Sequence, residues 1–120
     1  MGRALTVSIV DDDEDVRLAL GNLLRSAGFG VFAFQNAEAF LESPDRGATD
    51  CLVTDLHMPG MGGLALQEEL NRQGRTFPVI VMTAFPTHDA EQRSLELGAA
   101  AFLSKPVDPD HLLERVERSL

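Results

Sequence analysis

The sequence predicts an α/β fold in which a five-stranded parallel sheet is covered by helices on both faces. Short apolar segments rich in β-branched residues alternate five times with segments whose apolar residues recur at helical spacing. The predicted strands are apolar throughout, so both faces of the sheet have to be covered. Each helical segment lies between two strands, which favours parallel pairing and right-handed crossovers.

The first half of the chain supplies three strands and two helices. The strands are predicted over residues 5–10, 30–34 and 51–54, and the helices over 16–27 and 37–41. Gly28 is expected to end the first helix because glycine adopts the left-handed conformation at little cost. The second helix is expected to stop before Pro44, since proline disfavours helical backbone in the residue before it.

The second half continues the alternation. It supplies helices over 64–70 and 89–97, the second ending at Gly98, and strands over 79–82 and 101–103. Asp108 is expected to cap a last helix that has Pro109 in its first turn. The apolar stripe of this helix consists of Leu112, Leu113, Val116 and Leu120. At 120 residues the chain is predicted to be one doubly wound domain, residues 1–120, with the flavodoxin-like strand order 2-1-3-4-5.

Composition and charge exclude several classes of function. The formal net charge of -9 repels nucleic acid phosphates and anionic membranes, so we expect no direct contact with DNA. No apolar run is long enough to span a bilayer and no signal peptide is recognised, so we expect a cytoplasmic protein with no membrane contact. Cys51 is the only cysteine, which rules out an internal disulfide, and its apolar surroundings predict a buried, inert thiol.

Five polar residues follow or end predicted strands at the same edge of the sheet. Asp11 and Asp12 follow the first strand, Asp55 the third, Thr83 the fourth and Lys105 the fifth. Ligands of open parallel sheets bind outside the carboxyl ends of the strands. The first and third strands are neighbours in the predicted order, so the three carboxylates are expected to meet.

This combination of groups suits phosphoryl transfer. Three close carboxylates require a cation or a proton, and oxygen ligands in small number suit Mg²⁺. A carboxylate can act as a nucleophile and form an aspartyl-phosphate, whose oxygens an ammonium and a hydroxyl would stabilise. The acidic run 11–15 also has a simpler interpretation as a solvated helix start, which suits residues 13–15 better than Asp11 and Asp12.

Four motifs together resemble response-regulator receiver domains of two-component systems. They are I-V-D-D-D-E at 9–14, V-T-D-L-H-M-P-G-M-G-G at 53–63, V-I-V-M-T-A at 79–84 and G-A-A-A-F-L-S-K-P at 98–106. Each motif alone is weak, but the four occur in the order and spacing of the family and span essentially the whole chain. The segment F-Q-N-A-E-A-F-L at 34–41 resembles the FixJ-like class, in which a receiver precedes a helix-turn-helix DNA-binding domain.

The resemblance implies a role for each residue at the sheet edge. Asp55 corresponds to the phosphoacceptor, and Lys105 to the residue that contacts the phosphoryl oxygens. Asp12 corresponds to a direct Mg²⁺ ligand and Asp11 to one that acts mainly through water, and both complete a site with Asp55. The resemblance further implies that the backbone carbonyl of His57 is a metal ligand and that the peptide between Lys105 and Pro106 is cis. It also implies that the Thr83 hydroxyl moves toward the phosphoryl group and that Phe102 changes rotamer with it, which makes these two residues the switch pair.

The resemblance also implies partners. A sensor histidine kinase would supply the phosphoryl group, and the surface formed by residues 83–107 would then favour a partner, most simply a second copy of the chain. Regulation of transcription would require an output domain absent from these 120 residues. The domain would carry the phosphoryl group on its own side chain rather than turn over an external substrate.

Three other functions compete with this interpretation. A phosphohydrolase of the haloacid-dehalogenase type would place a second Asp two residues after the nucleophile, where this chain has His57. A flavin or nucleotide binder of similar fold would need glycines and hydroxyls after the first strand, where Asp11 and Asp12 would repel an anion. A degenerate receiver used only for binding would have lost its acidic site, which is intact here.

Overall fold

A computed structural model of the chain describes residues 4–120, so the first three residues of the predicted domain lie outside the described residues. The strands are β1 (Thr6–Val10), β2 (Gly30–Phe34), β3 (Cys51–Asp55), β4 (Val79–Thr83) and β5 (Ala101–Ser104). The helices are α1 (Glu14–Ser26), α2 (Ala37–Glu42), α3 (Gly63–Arg72), α4 (His88–Glu96) and α5 (Pro109–Ser119). The strands form one parallel sheet in the order β2-β1-β3-β4-β5, which confirms the predicted topology.

Two apolar layers cover the sheet, one on each face. On one face, Leu24 of α1 and Leu112 and Val116 of α5 pack against strand residues such as Ile9 and Ile80. The other layer is formed by the second set of helices, with Phe40 of α2, Leu66 and Leu70 of α3 and Ala90 of α4. The arrangement follows from the strands, since β3 and β4 are buried at every position and need cover on both sides.

Three of the helices are followed by a glycine at the edge of the sheet opposite the carboxyl ends of the strands. Gly28, Gly74 and Gly98 follow α1, α3 and α4 with φ angles of 95°, 80° and 94°. These angles lie in the left-handed region, where a side chain is strained, so glycine lets each helix stop and the chain turn toward the next strand. Gly28 and Gly98 were predicted to have this role, and Gly74 was not.

The structure differs from the sequence-based expectations in a few places. A short 3₁₀ helix over Pro44–Ala48 precedes β3, capped by Ser43, whose hydroxyl accepts from the Asp45 backbone. Leu120 was expected in the apolar stripe of α5 but is 41% exposed, because the helix ends before it. Within residues 4–120, no helix combines the length and apolar character needed to cross a bilayer.

Cys51 lies in the buried centre of the sheet, as its surroundings predicted. Its side chain is fully buried in β3, with Sγ 3.7 Å from the hydroxyl oxygen of Ser119. Burial raises the pKa of the Cys51 thiol to about 11, so the thiol stays protonated at neutral pH. Cys51 therefore acts as a small apolar residue of the core.

Candidate functional site

The register of the sheet brings the predicted site residues to one edge. Val10, the last residue of β1, pairs with Thr54, so Asp11 lies beside Asp55 at the carboxyl ends of neighbouring strands. Asp55 itself is the last residue of β3 and pairs with Met82, one residue before Thr83. The sequence placed Asp55 just after its strand, whereas here the strand holds it.

Lys105 joins the two buried carboxylates of this edge. Its ammonium nitrogen lies 2.7 Å from Oδ2 of Asp11 and 3.3 Å from Oδ2 of Asp55. The Asp11 side chain is fully buried and the side chain of Asp55 is 9% exposed. Lys105, which lies 94 positions after Asp11 in the sequence, thus supplies the positive charge between the two carboxylates.

Backbone and side-chain donors fix the position of Asp11. Its Oδ1 accepts from the backbone N–H of Asp13 at 2.9 Å, and its Oδ2 accepts from Lys105. Its carbonyl oxygen accepts from Nη1 of Arg17 at 2.6 Å. Sequence reasoning did not identify Arg17. The feature that could have indicated this contact is that Arg17 is the first cation after the acidic run 11–15, in the first turns of the helix.

The electrostatics of the edge oppose full ionisation of Asp55. Burial raises the pKa of Asp55, the nearby charge of Asp11 raises it further, and Lys105 partly offsets both. Burial lowers the pKa of Lys105, but its hydrogen bond and attraction to Asp11, followed by the charge of Asp55, outweigh burial, so the pKa is raised overall. Lys105 therefore stays charged, and its single positive charge does not neutralise the carboxylates at this edge.

The three carboxylates form a group that fits a divalent cation. One oxygen from each of Asp11, Asp12 and Asp55 lies within 4.8 Å of the others, and Asp12 is exposed while the other two are buried. Three carboxylates face one ammonium at this edge, and hard oxygen donors of this kind suit Mg²⁺. Both carboxylate oxygens of Asp11 accept protein hydrogen bonds, and those of Asp55 face the His57 N–H and the Lys105 ammonium. A cation would therefore find its most accessible oxygens on Asp12.

Thr83 and Phe102 lie on neighbouring strands, where Thr83 pairs with Ser104 and Phe102 pairs with Val81, two residues before Thr83. Thr83 is fully buried at the end of β4, and its hydroxyl oxygen accepts from the backbone N–H of Phe85 at 3.0 Å. Phe102, in β5, is partly buried in the same apolar layer as α3 and α4. The peptide between Lys105 and Pro106 is cis, as the resemblance implies.

His57 lies at the entrance to the site. Its backbone N–H donates to Oδ1 of Asp55 at 3.4 Å, and its ring makes an edge contact with Phe85, with 6.2 Å between ring centroids. Phe85 is 72% exposed, so this ring contact lies at the surface of the domain. This ring contact could not be predicted from the sequence because the two residues belong to different loops.

The fold and the site together define a doubly wound α/β domain with an acidic, lysine-bridged site at the carboxyl edge of its sheet. The chain belongs to the response regulator receiver domain family, whose model matches residues 7–117. It is therefore a receiver domain of the two-component signalling type, as the four motifs predicted.

Individual relatives agree with this assignment. The chain is 42% identical over 123 residues to the transcriptional regulatory protein FixJ of Azorhizobium caulinodans, covering 100% of this chain and 57% of that protein. It is 38% identical to the DNA-binding transcriptional regulator NtrC of Escherichia coli, covering 95% of this chain and 24% of NtrC. The crystal structure of FixJ-N superposes with a TM-score of 0.86 at 36% identity, covering 98% of this chain and 94% of that one. The chain thus spans little more than half the length of FixJ, and less of NtrC.

Proposed function

We propose that Asp55 is the phosphoacceptor of this receiver. The observation that carries the proposal is the convergence of Asp55 with Asp11, Asp12 and Lys105 at one sheet edge, in a chain of the receiver family. A carboxylate oxygen of Asp55 would attack the phosphorus of a phosphohistidine on a sensor kinase. A P–O bond forms, the P–N bond breaks, and the electron pair returns to the imidazole, which takes up a proton.

Lys105 and Thr83 would act on the phosphoryl group once it is attached. Lys105 lies 3.3 Å from Oδ2 of Asp55, close enough for its ammonium to stabilise the phosphoryl oxygens. The buried hydroxyl of Thr83 would exchange its present contact with the Phe85 backbone for one with the phosphoryl group. Phe102 would then turn into the space that Thr83 leaves, which changes the surface over residues 83–107.

The metal that suits this site is Mg²⁺, held by Asp12 and Asp55, with Asp11 acting through water and the His57 carbonyl as a further ligand. When bound, it would neutralise charge on the carboxylates and on the phosphoryl oxygens. The protein itself positions the acidic groups. The Asp13 backbone N–H and Lys105 hold Asp11 in place, and Asp12 stays exposed to solvent.

The proposed partners follow from the same chemistry. The phosphodonor is a sensor histidine kinase, and the altered surface would favour a homodimer. FixJ and NtrC are transcriptional regulators of which this chain spans only part, so we propose that the receiver controls transcription through an output domain outside these 120 residues. The net charge of -9 supports a domain that does not itself touch DNA.

Intact-mass spectrometry after treatment with acetyl phosphate and Mg²⁺ tests the chemistry. The chain should gain one phosphoryl group that alkaline hydrolysis removes, as expected of an acyl phosphate. Asp55→Asn keeps the size of the side chain and should abolish the gain, whereas Asp50→Asn, a control aspartate outside the site, should keep it. Persistence of the full mass gain in Asp55→Asn would falsify the assignment.

Thermal unfolding with and without Mg²⁺ tests the metal. A ligand that binds the folded state raises the melting temperature by mass action, so Mg²⁺ should raise that of the parent. Asp12→Ala should lose this shift and melt higher than the parent in EDTA, since it removes repulsion from the acidic group. Asp45→Ala, which changes an exposed aspartate in the 3₁₀ helix, should keep the shift. An unchanged shift in Asp12→Ala would place the ion elsewhere.

A further inference from the structure

The most deeply buried contacts that attach α4 to the rest of the domain are polar. Described along its whole length, it buries a single residue, Ser94, which is fully inaccessible. Ser94 makes a reciprocal pair with Gln67 of α3, which is also fully buried. Nε2 of Gln67 donates to the Ser94 carbonyl at 3.1 Å, and the Ser94 hydroxyl donates to Oε1 of Gln67 at 3.0 Å.

The two hydrogen bonds of this pair depend on each other. A buried amide or hydroxyl without a partner loses its hydration with nothing in return. The Ser94 carbonyl also accepts from the Ala99 N–H at 3.1 Å, which joins the pair to the turn that leads into β5. A displacement of α4 along α3 would break both bonds at once, so the pair fixes the position of α4 much more sharply than apolar contact would.

At its other end, α3 is held against the phosphoacceptor strand. A Cβ at Gly63, the first residue of α3, would lie 2.6 Å from the carbonyl oxygen of Asp55, closer than non-bonded atoms approach. The Gly63 N–H donates to the carbonyl of Leu56 at 2.9 Å. Gln67 lies four residues further on, about one helical turn, so it follows any movement of the Asp55 backbone.

We propose that Gln67 is a positioning residue that couples α4 to the phosphoacceptor strand through α3. A displacement of the Asp55 backbone moves Gly63 through their direct contact. The same movement of α3 shifts Gln67, whose hydrogen bonds then displace Ser94 of α4. This route does not pass through Thr83 or Phe102, which lie on β4 and β5. The inference rests on the proposed phosphorylation of Asp55 and extends it to a second element of the domain.

The test removes the pair without leaving an unsatisfied group. The double variant Gln67→Met with Ser94→Ala replaces both partners by apolar side chains of similar or smaller size, so its stability should stay near that of the parent. Each single variant leaves one partner buried and unpaired, and should raise amide exchange in α4 about tenfold or more over the parent. Asn71→Ala is the matched control, since Asn71 also joins α3 to α4, through an exposed bond to the Leu97 carbonyl at 2.8 Å.

The deciding measurement is amide hydrogen exchange in α4 with and without beryllofluoride and Mg²⁺, a mimic of the phosphoryl group. In the parent and in Asn71→Ala, α4 should respond. In the double variant the response should fall to about half or less, while phosphoryl uptake from acetyl phosphate stays within about twofold of the parent. A merely structural role would change stability and leave the response intact.

Two results overturn the inference. One is a double variant whose α4 responds as fully as that of the parent, and the other is a parent that takes up the phosphoryl group while α4 does not respond. Both would leave the phosphoacceptor assignment standing. Failure of the parent to gain mass at all would instead refute the proposed function, so the two failures are distinguishable.

Discussion

The helices α4 and α5 flank the same strand, β5, and are attached to the domain in opposite ways. In α5, Leu112 and Val116 are fully buried in the apolar layer that also holds α1. In α4 the buried residue is Ser94, and Leu95 is 48% exposed. The helix α5 is held by buried apolar side chains, whereas α4 is held mainly by directional hydrogen bonds.

This difference shows which helix can transmit a signal. Apolar burial is non-directional, so it stabilises a helix in proportion to the area covered and tolerates small displacements. A buried hydrogen-bonded pair has few acceptable geometries and little apolar area behind it, so α4 has one well-defined position and a small cost for leaving it. The receiver thus combines a helix that maintains the fold with a helix whose position can be changed by a local event.

The comparison is tested most strongly by truncating one leucine in each helix. Leu112→Ala should lower the free energy of unfolding by about 2–5 kcal/mol, because it removes buried methyl groups and leaves a cavity. Leu95→Ala should change it by about 0.5 kcal/mol or less, because that side chain lies largely in solvent. Urea unfolding followed by circular dichroism measures both. Similar losses in the two variants would show that α4 is also held by apolar burial.

We expect Thr83→Ala to lower the free energy of unfolding less than Leu112→Ala does, and to act mainly on the response to phosphorylation. The variant loses the hydroxyl that now accepts from the Phe85 backbone, but keeps Asp55 and Lys105. It should take up a phosphoryl group about as well as the parent, while the exchange response to beryllofluoride between residues 83 and 107 falls by about half or more. Thr49→Ala, at a buried threonine that precedes β3, is the control. A parent-like response and dimer content in Thr83→Ala would remove Thr83 from the route.

The smallest effect is expected at the exposed ion pair between α3 and α4. Arg93 lies 3.6 Å from Glu68, and both side chains are at least half exposed. Glu68→Gln should change the free energy of unfolding by less than about 0.5 kcal/mol. Exchange in α4 should also be unchanged, at low and at high salt. A clear rise in α4 exchange would mean that surface charge, and not the buried pair, holds this helix.

The sequence predicted the order of all strands and helices because each element carries a clear local signal. Apolar β-branched runs mark the strands, and Asp108 and Pro109 mark the start of the last helix, where the Asp108 carboxylate does accept from the His111 N–H at 3.0 Å. The 3₁₀ helix over Pro44–Ala48 escaped prediction because it buries no residue and so has no apolar period. Boundaries elsewhere shifted by a residue or two, where caps and final turns add positions that periodicity does not mark.

The site was predictable where strand order alone brings residues together. Asp11, Asp55 and Lys105 each continue a strand, so the topology sufficed to predict that they meet. The pair of Gln67 and Ser94 was not predictable, because polar residues inside helices are normally placed on the solvent side. Their burial depends on how α3 and α4 pack, which is a tertiary property that no local pattern records.

The glycines that end α1, α3 and α4 also determine where the chain can change in length. They lie at the edge of the sheet away from the carboxylates, so a peptide inserted after Gly28 or Gly74 would extend a surface turn and leave the strand register intact. The turn after Gly98 is less suitable, because the Ala99 N–H there donates to the Ser94 carbonyl. One residue added within a strand would instead turn every later side chain of that strand to the opposite face. A reporter peptide for following the switch in cells therefore belongs at the turns after Gly28 and Gly74, on the side of the domain that does not carry the chemistry.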